Sequence, residues 1–406
     1  MKNLTAFDIL FILIKASQSK ISTQSLYEII SILDLNIAIN CRSLLKGKLE
    51  GFGNYSLELI QRICKGNPEY TFLLIFDRPY DSSFIFSENC KPIIVSPPTR
   101  HPFLNIFWAN FSLPRTLRRY KADLFWSPDG ICVTKTSIPQ VITIHDINFE
   151  HYPKDTPRLV SWYYRKFYPL FAQEARHILT VSEYSKKDLV RTYGIDKKKI
   201  SVVHNGVSEL FKPSTDAERS DCQTKYTNGK KYFVFVGSIH PRKNIERLVK
   251  AFEQFYQKNN TFQLLIVGSN MWGDKKLVVP NSISQAVGFT GHVELEELTK
   301  IMAGAFAFVY PPYFEGFGIP LIEAMKSGVP VLSSNKTCLP EVAGDAALFF
   351  DPFNVNDIAE KLEIISNDET LRENLIEKGY QKSQNYNWDK AAKQTWQTLE
   401  KFIKAP

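Results

Sequence analysis

Short apolar runs bounded by glycine, proline or polar clusters recur along the chain and alternate with segments whose apolar residues return every three or four positions. The runs 36–40, 71–76, 92–95, 124–126, 141–145 and 177–181 read as buried strands. Helix spacing lies between them, for example at Leu57, Leu59, Ile60 and Ile63. The same alternation resumes with strands at 232–237, 263–268, 305–310 and 329–332, a helix through Ile245, Leu248, Val249 and Phe252, and another from Leu295 to Ala303. Such alternation predicts parallel sheets covered by helices, hence an α/β fold.

Two segments break the rhythm. Phe7-Asp-Ile-Leu-Phe-Ile-Leu-Ile14 is apolar but short, carries an Asp and lacks a small-residue cleavage site, so residues 1–34 read as a helical N-terminal extension rather than a signal peptide. Residues 208–231 are polar and irregular and are expected to link two halves. At the end, Trp388, Ala392, Trp396, Leu399 and Ile403 form one apolar stripe at helical spacing, which predicts a packed C-terminal helix.

Length agrees with this division, because 406 residues exceed one ordinary core. The expected layout is an extension at 1–34, a Rossmann-like domain at 35–207, a linker at 208–231, a second Rossmann-like domain at 232–387 and a helix at 388–406. The six cysteines (41, 64, 90, 132, 222 and 338) have neither metal-ligand nor paired spacing, which suits reduced thiols in a cytosol. No apolar run approaches the ~20 residues that span a bilayer.

The net charge of +8 is uneven. Residues 1–200 hold 27 Lys and Arg against 18 Asp and Glu, whereas 201–406 hold 23 against 24. Clusters at Arg115, Arg118, Arg119 and Lys121, and at Lys186, Lys187, Arg191 and Lys197 to Lys199, suit an acidic acceptor or an anionic membrane surface, or simply a solvated face. They do not interleave with aromatic residues in a stacking pattern, so no nucleic-acid partner is expected.

Candidate chemistry gathers where strands end. Pro311-Pro-Tyr-Phe-Glu315-Gly-Phe-Gly-Ile-Pro320-Leu-Ile-Glu323-Ala-Met follows an apolar strand and enters a helix. Gly316 and Gly318 permit close approach of backbone N–H groups, and the helix start adds partial positive charge, so an anion such as a phosphate fits. Glu315 and Glu323 bracket that cradle. A second strand-to-helix turn, Ser238-Ile-His240-Pro-Arg242-Lys243-Asn244, carries two cations suited to a diphosphate. His145-Asp146 lies at the carboxyl end of another strand, where open α/β sheets bind ligands. Gly51 and Gly53 follow the first strand, but Ser56 stands where a dinucleotide fingerprint would place its third glycine. Each feature also has an ordinary structural reading: a common turn, a solvated basic loop, a histidine bonded to a carbonyl.

Taken together, Glu315-Gly-Phe-Gly-Ile-Pro-Leu-Ile-Glu323, Val-Gly-Ser-Ile-His-Pro-Arg242-Lys243-Asn244, Val181-Ser-Glu-Tyr-Ser185, His204-Asn-Gly-Val207, Gly288-Phe-Thr-Gly291 and Leu339-Pro-Glu-Val342 resemble the family 4 glycosyltransferases. The resemblance runs from about residue 35 to the end. It implies the GT-B architecture, two Rossmann-like domains facing across a cleft, with the nucleotide sugar bound mainly by the second and the acceptor mainly by the first.

Position by position, it implies Glu315 against the donor sugar, Glu323 on the ribose, and Lys243 with Arg242 on the diphosphate. Backbone at Gly316, Phe317, Gly318 and Ile319 would assist, with the Gly51 and Gly53 loop. His145 would reach the sugar near its anomeric carbon beside Asp146. Ser238 departs from the pattern, because many members place an arginine there. The family implies retention of anomeric configuration and no cofactor or metal, and the chain has no Asp-x-Asp.

The expected activity is a hexosyltransferase moving a hexose or deoxyhexose, first of all mannose, from a nucleoside diphosphate sugar to a saccharide or lipid-linked saccharide in surface polysaccharide synthesis. The expected place is the cytoplasm, peripheral to the inner membrane face. The competing readings are another GT-B reaction, such as a sugar-nucleotide epimerase or phosphorylase, and a non-catalytic scaffold.

Overall fold

The computed structural model describes residues 35–403 apart from Lys48, Glu50 and 270–276. The extension expected at 1–34 lies outside the described residues. The chain divides into two compact units, one holding residues up to Val141 with those from Leu399 onward, the other Ile142–Thr398.

Among the described residues thirteen strands follow in chain order: β1 (Asn36–Asn40), β2 (Thr71–Phe76), β3 (Cys90–Ile94), β4 (Leu124–Ser127), β5 (Gln140–Thr143), β6 (His177–Thr180), β7 (Ile200–Val202), β8 (Lys231–Val236), β9 (Phe262–Val267), β10 (Val287–Gly291), β11 (Ala307–Tyr310), β12 (Val331–Ser334) and β13 (Ala347–Phe350). The first unit orders its strands β3-β2-β1-β4 and includes the start of β5. The second completes β5, adds β6 and β7, and holds a separate six-stranded sheet in the order β10-β9-β8-β11-β12-β13.

Pairing is parallel, as at Ile37↔Phe72 and Val331↔Ala347. Parallel strands need helical crossovers that bury both sheet faces, which is why their sequences are continuously apolar. Tyr232, Phe233, Val234, Phe235, Leu264, Ile266, Phe308 and Val309 are all fully enclosed. Two Rossmann-like parallel sheets are the outcome.

Where the alternating pattern was strong, element bounds match within a residue or two. The strand expected at 141–145 ends instead at Thr143, so His145 and Asp146 sit in the loop beyond it. Residues 208–231, expected to be irregular, contain a helix, Asp216–Thr227. That helix lacks a wide apolar face, with only Cys222 and Thr227 buried, so periodicity does not reveal it. Its start is nevertheless written in a capping box: Thr215 accepts from the Glu218 N–H, and the Glu218 carboxylate accepts from the Thr215 N–H at 2.8 Å. The glycine loop expected at Gly51 and Gly53 is the first turn of a helix, Gly51–Gly66. Glycine suits Gly53, where a Cβ would lie 3.0 Å from the Ser43 carbonyl oxygen.

Candidate active site

In the six-stranded sheet the strand order reverses between β8 and β11, which pair directly. Ligands bind beyond the carboxyl ends of strands at such a switch point, because the flanking crossovers leave on opposite faces and open a crevice. The turns that follow these two strands are the cation turn and the glutamate turn.

The cation turn is fixed before any ligand is considered. Pro241–Lys243 forms a single 3-10 turn, capped by His240, whose ring Nδ1 accepts from the Arg242 N–H. Asn244 adopts a left-handed conformation at φ 61°, which Asn tolerates better than most residues, and starts the helix Ile245–Lys258. Its buried amide donates to the carbonyls of Pro311 at 3.0 Å and Pro352 at 2.7 Å. Tyr313 N–H in turn donates to the Arg242 carbonyl at 3.1 Å. The two turns are therefore bolted together.

Between them lies one carboxylate shared by two cations. Glu315 Oε1 is 2.6 Å from Arg242 Nη1 and 2.5 Å from Lys243 Nζ, and Glu315 is 6% exposed. Burial works against the charged carboxylate, but the guanidinium and ammonium overcome it and lower its pKa to about 2. Arg242 is held firmly protonated by Glu315 and Asp146, against the cost of burial. Lys243 is pulled below its ordinary pKa, first by burial and then by the Arg242 charge, with Glu315 opposing. Lys243 Nζ also donates to the Tyr310 hydroxyl at 2.8 Å. Two buried cations converge on the Glu315 carboxylate in a dry setting, with the Asp146 carboxyl facing them, and both can turn donors toward an arriving anion.

Asp146 faces this cluster and feels Arg242, Glu315 and Lys243. Burial raises its pKa, with Arg242 and the Asn148 N–H bond at 3.0 Å pulling the other way. His145 is brought in by its backbone. Its carbonyl accepts from Ser185 Oγ at 3.0 Å, and a Cβ on Gly316 would come within 2.4 Å of the same oxygen. Only glycine permits that approach. The Gly316 carbonyl then accepts from Ser182 Oγ at 2.8 Å.

The next residues divide into backbone and side-chain roles. Gly318 takes φ +88°, with Leu339 and Tyr310 where a Cβ would project, and Ile319 opens the helix Ile319–Lys326 with Pro320 in its first turn. The Phe317 side chain is buried against His204 and Tyr386, so only its backbone is available to a ligand. Glu323 lies one helical turn further. Its carboxyl has no ion pair or hydrogen bond among the described residues, and burial alone pushes its pKa up to about 8. Ser238 shares the cation turn, but no hydrogen bond links its side chain to the cluster. Gly51 and Gly53 belong to the first unit and are described there alone.

Several participants carry no motif. Tyr310 is the last residue of a buried strand, and sequence cannot separate it from core aromatics. Thr337, whose Oγ1 accepts from the Glu315 N–H at 3.2 Å, sits at φ 56°. A β-branched residue rarely adopts that conformation, and it persists here because packing around the loop determines it. Cys338 Sγ donates to the Glu315 carbonyl at 3.2 Å. Three of the other quoted motifs also meet: the Glu341 carboxylate accepts from the N–H groups of Glu183 and Tyr184 at 2.8 and 2.9 Å, and lies 3.4 Å from His204 Nε2.

This arrangement agrees with what comparison finds. Residues 50–209 match Glycosyltransferase Family 4, and residues 216–382 match Glycosyl transferases group 1. The chain is 30% identical over 373 residues to O-antigen chain mannosyltransferase B of Escherichia coli, covering 86% of this chain and 96% of that protein. It is 33% identical over 229 residues to O-antigen chain mannosyltransferase RfbU of Salmonella typhimurium, covering 55% and 60%. Among solved structures, sucrose-phosphate synthase from Thermosynechococcus elongatus superposes with a TM-score of 0.72 at 19% identity, covering 90% of this chain and 98% of that one, which supports the GT-B fold. The chain belongs to the family 4 glycosyltransferases, and it is a hexosyltransferase of GT-B fold.

Proposed function

We propose that this hexosyltransferase moves a mannosyl residue from a nucleoside diphosphate sugar to a saccharide acceptor during surface polysaccharide synthesis, with retention of anomeric configuration. The observation that carries the reading is the pair of buried cations, Arg242 and Lys243, gathered around Glu315 and set beside the glycine turn at Gly316–Gly318. The names of the O-antigen relatives supply the sugar and the setting.

In this reading the donor diphosphate lies against Lys243 and Arg242, with the backbone N–H groups of 316–319 at the helix start completing the cradle. The C1–O bond to the diphosphate breaks as the acceptor hydroxyl forms its new C1–O bond on the same face. The acceptor proton passes to the departing diphosphate oxygen, so no separate base is required. The two cations stabilise charge that grows on the leaving oxygen, in a site preorganised to hold it. Glu315, with a pKa near 2, stays a carboxylate and accepts hydrogen bonds from sugar hydroxyls instead of donating a proton. Glu323 offers its carboxyl to ribose hydroxyls, which supply the hydrogen bonds it lacks. His145 and Asp146 border the sugar.

The test is a transfer assay with GDP-mannose, UDP-glucose, UDP-galactose and dTDP-rhamnose and a mannose-terminated acceptor, run in EDTA and again with Mg²⁺. Transfer from GDP-mannose without added metal, giving a product with the donor's anomeric configuration, is the expected result. Transfer from a different donor overturns the sugar assignment, and an inverted product overturns the mechanism.

A further inference from the structure

Two of the six cysteines meet in the first unit, although their separation in sequence gives no sign of a pair. Cys64 stands in the last turn of the helix Gly51–Gly66, and Cys90 opens β3, the edge strand of its sheet. Parallel pairing sets Cys90 opposite Phe72 of β2, and the Phe72 N–H donates to the Asn89 carbonyl at 2.9 Å. The Asn89 amide reaches back to the helix end, 3.1 Å from the Cys64 carbonyl oxygen and 3.0 Å from that of Asn67. Strand start and helix end are thereby tied together. The two thiols, unlinked here, hydrogen-bond to each other.

Their surroundings set them apart. Cys64 is fully enclosed and Cys90 is 7% exposed, so a small solute reaches Cys90 first. The turn before Cys90 folds around its sulfur: the Ser87 hydroxyl lies 3.4 Å away, and the backbone of Phe86 and Ser87 adds hydrogen bonds. The Cys64 thiol is the strongest of these partners, and together they favour the thiolate over the cost of burial, lowering the Cys90 pKa to about 6. Burial, followed by the bond to Cys90, raises the Cys64 pKa, so Cys64 keeps its proton and remains the donor. Burial also pushes up the thiols of Cys41, Cys222 and Cys338. A thiolate nearer the surface with a protonated thiol behind it suits a peroxide-reactive cysteine and its resolving partner.

We propose that Cys64 and Cys90 close a reversible, peroxide-driven disulfide that ties the end of the helix Gly51–Gly66 to the start of β3. The Cys90 thiolate attacks one oxygen of hydrogen peroxide and breaks the O–O bond. Cys90 becomes a sulfenic acid, and the hydroxide released recovers as water the proton that Cys90 had given up. The Cys64 sulfur then attacks the Cys90 sulfur, and its proton leaves with the displaced hydroxyl as a second water. Each sulfur loses one electron, and the peroxide gains two. A dithiol reductant reverses the reaction by exchange. Both sulfurs lie at the amino end of the parallel strands, opposite the carboxyl ends where such sheets bind ligands, so the proposal stands independently of the donor assignment.

Peptide mapping of the full-length protein tests it. The reduced protein is treated with hydrogen peroxide, blocked with N-ethylmaleimide in denaturant and digested without reduction. The expected result is a peptide pair joined through Cys64 and Cys90, with four blocked cysteines in place of six, and all six again after dithiothreitol. The thermal midpoint of the oxidised protein should rise above that of the reduced protein, because the closed loop restricts the unfolded chain. Dimedone trapping separates the two roles. Cys64→Ser should accumulate an adduct on Cys90, whereas Cys90→Ser should give none on Cys64. Mapping of the wild type depends on neither variant. Six blocked cysteines after peroxide overturn the proposal, as does a disulfide formed by another pair or between two chains. A dimedone adduct on Cys64 instead of Cys90 overturns the assignment of roles.

Discussion

Glu315 and Glu323 are the same side chain, eight positions apart on one strand-turn-helix unit, and the fold treats them in opposite ways. Glu315 is surrounded by cations, which lower its pKa to about 2, whereas Glu323 has no counter-charge among the described residues and burial raises its pKa to about 8. The first is satisfied within the protein, and its charge helps to hold two buried cations. The second is left for something else to satisfy. Burial is common to both, so the presence or absence of a partner sets the sign of the shift.

Removing the satisfied carboxylate gives the largest effect. Glu315→Gln leaves Arg242 and Lys243 facing each other without the carboxylate they share, and folding stability should fall by about 3–5 kcal/mol in chemical denaturation. Transfer should drop by about 10² to 10³. A nucleoside diphosphate supplies the missing anion, so it should raise the thermal midpoint of this variant more than that of the wild type. Equal stabilisation of both proteins would separate the cations from the donor site.

Gly316→Ala sharpens the contrast through the backbone. Its Cβ would meet the His145 carbonyl at 2.4 Å, so the turn must shift and carry Glu315 with it. A loss of about 1–3 kcal/mol is expected. The pKa of Glu315 should also rise as its ion pairs lengthen, visible as acid unfolding that begins at higher pH. An Ala variant with unchanged stability and acid response would show that the close approach is not needed.

The pH dependences of the two residues run in opposite directions. The folded pKa of Glu315 is depressed, so its stabilisation is present above about pH 4.5 and is lost as pH falls towards 2. The folded pKa of Glu323 is raised, so its contribution is full below about pH 4.5 and is lost as pH rises through 8. Glu323→Gln removes the second slope. Relative to wild type, the variant should gain roughly 2 kcal/mol between pH 5 and pH 9, allowing for the carboxyl's partial contact with solvent. Parallel stability curves for the two proteins would mean that the Glu323 carboxyl already has a partner.

Much of this site was legible from residues. The glycine turn, both glutamates and the cation pair all stand at strand ends, and strand ends can be read from apolar runs. What could not be read is what depends on proximity in space. Nothing local marks Tyr310 as the acceptor of the Lys243 ammonium, or Thr337 as a residue held at positive φ beneath Glu315. The helix at 216–227 escaped periodicity because it buries little, although its capping box was in view. Phe317 shows the converse: a motif residue suggests a ligand contact, while its ring is committed to His204 and Tyr386.

The central claim is that Arg242 and Lys243 are gathered at this turn to hold the donor diphosphate. Calorimetric titration of GDP and of guanosine into the wild type and into Lys243→Ala tests it most directly. The account predicts that Lys243→Ala weakens GDP binding by about 10- to 100-fold, the loss of one or two charge-assisted contacts, while guanosine binds both proteins alike. Equal GDP affinity for the two proteins would contradict it.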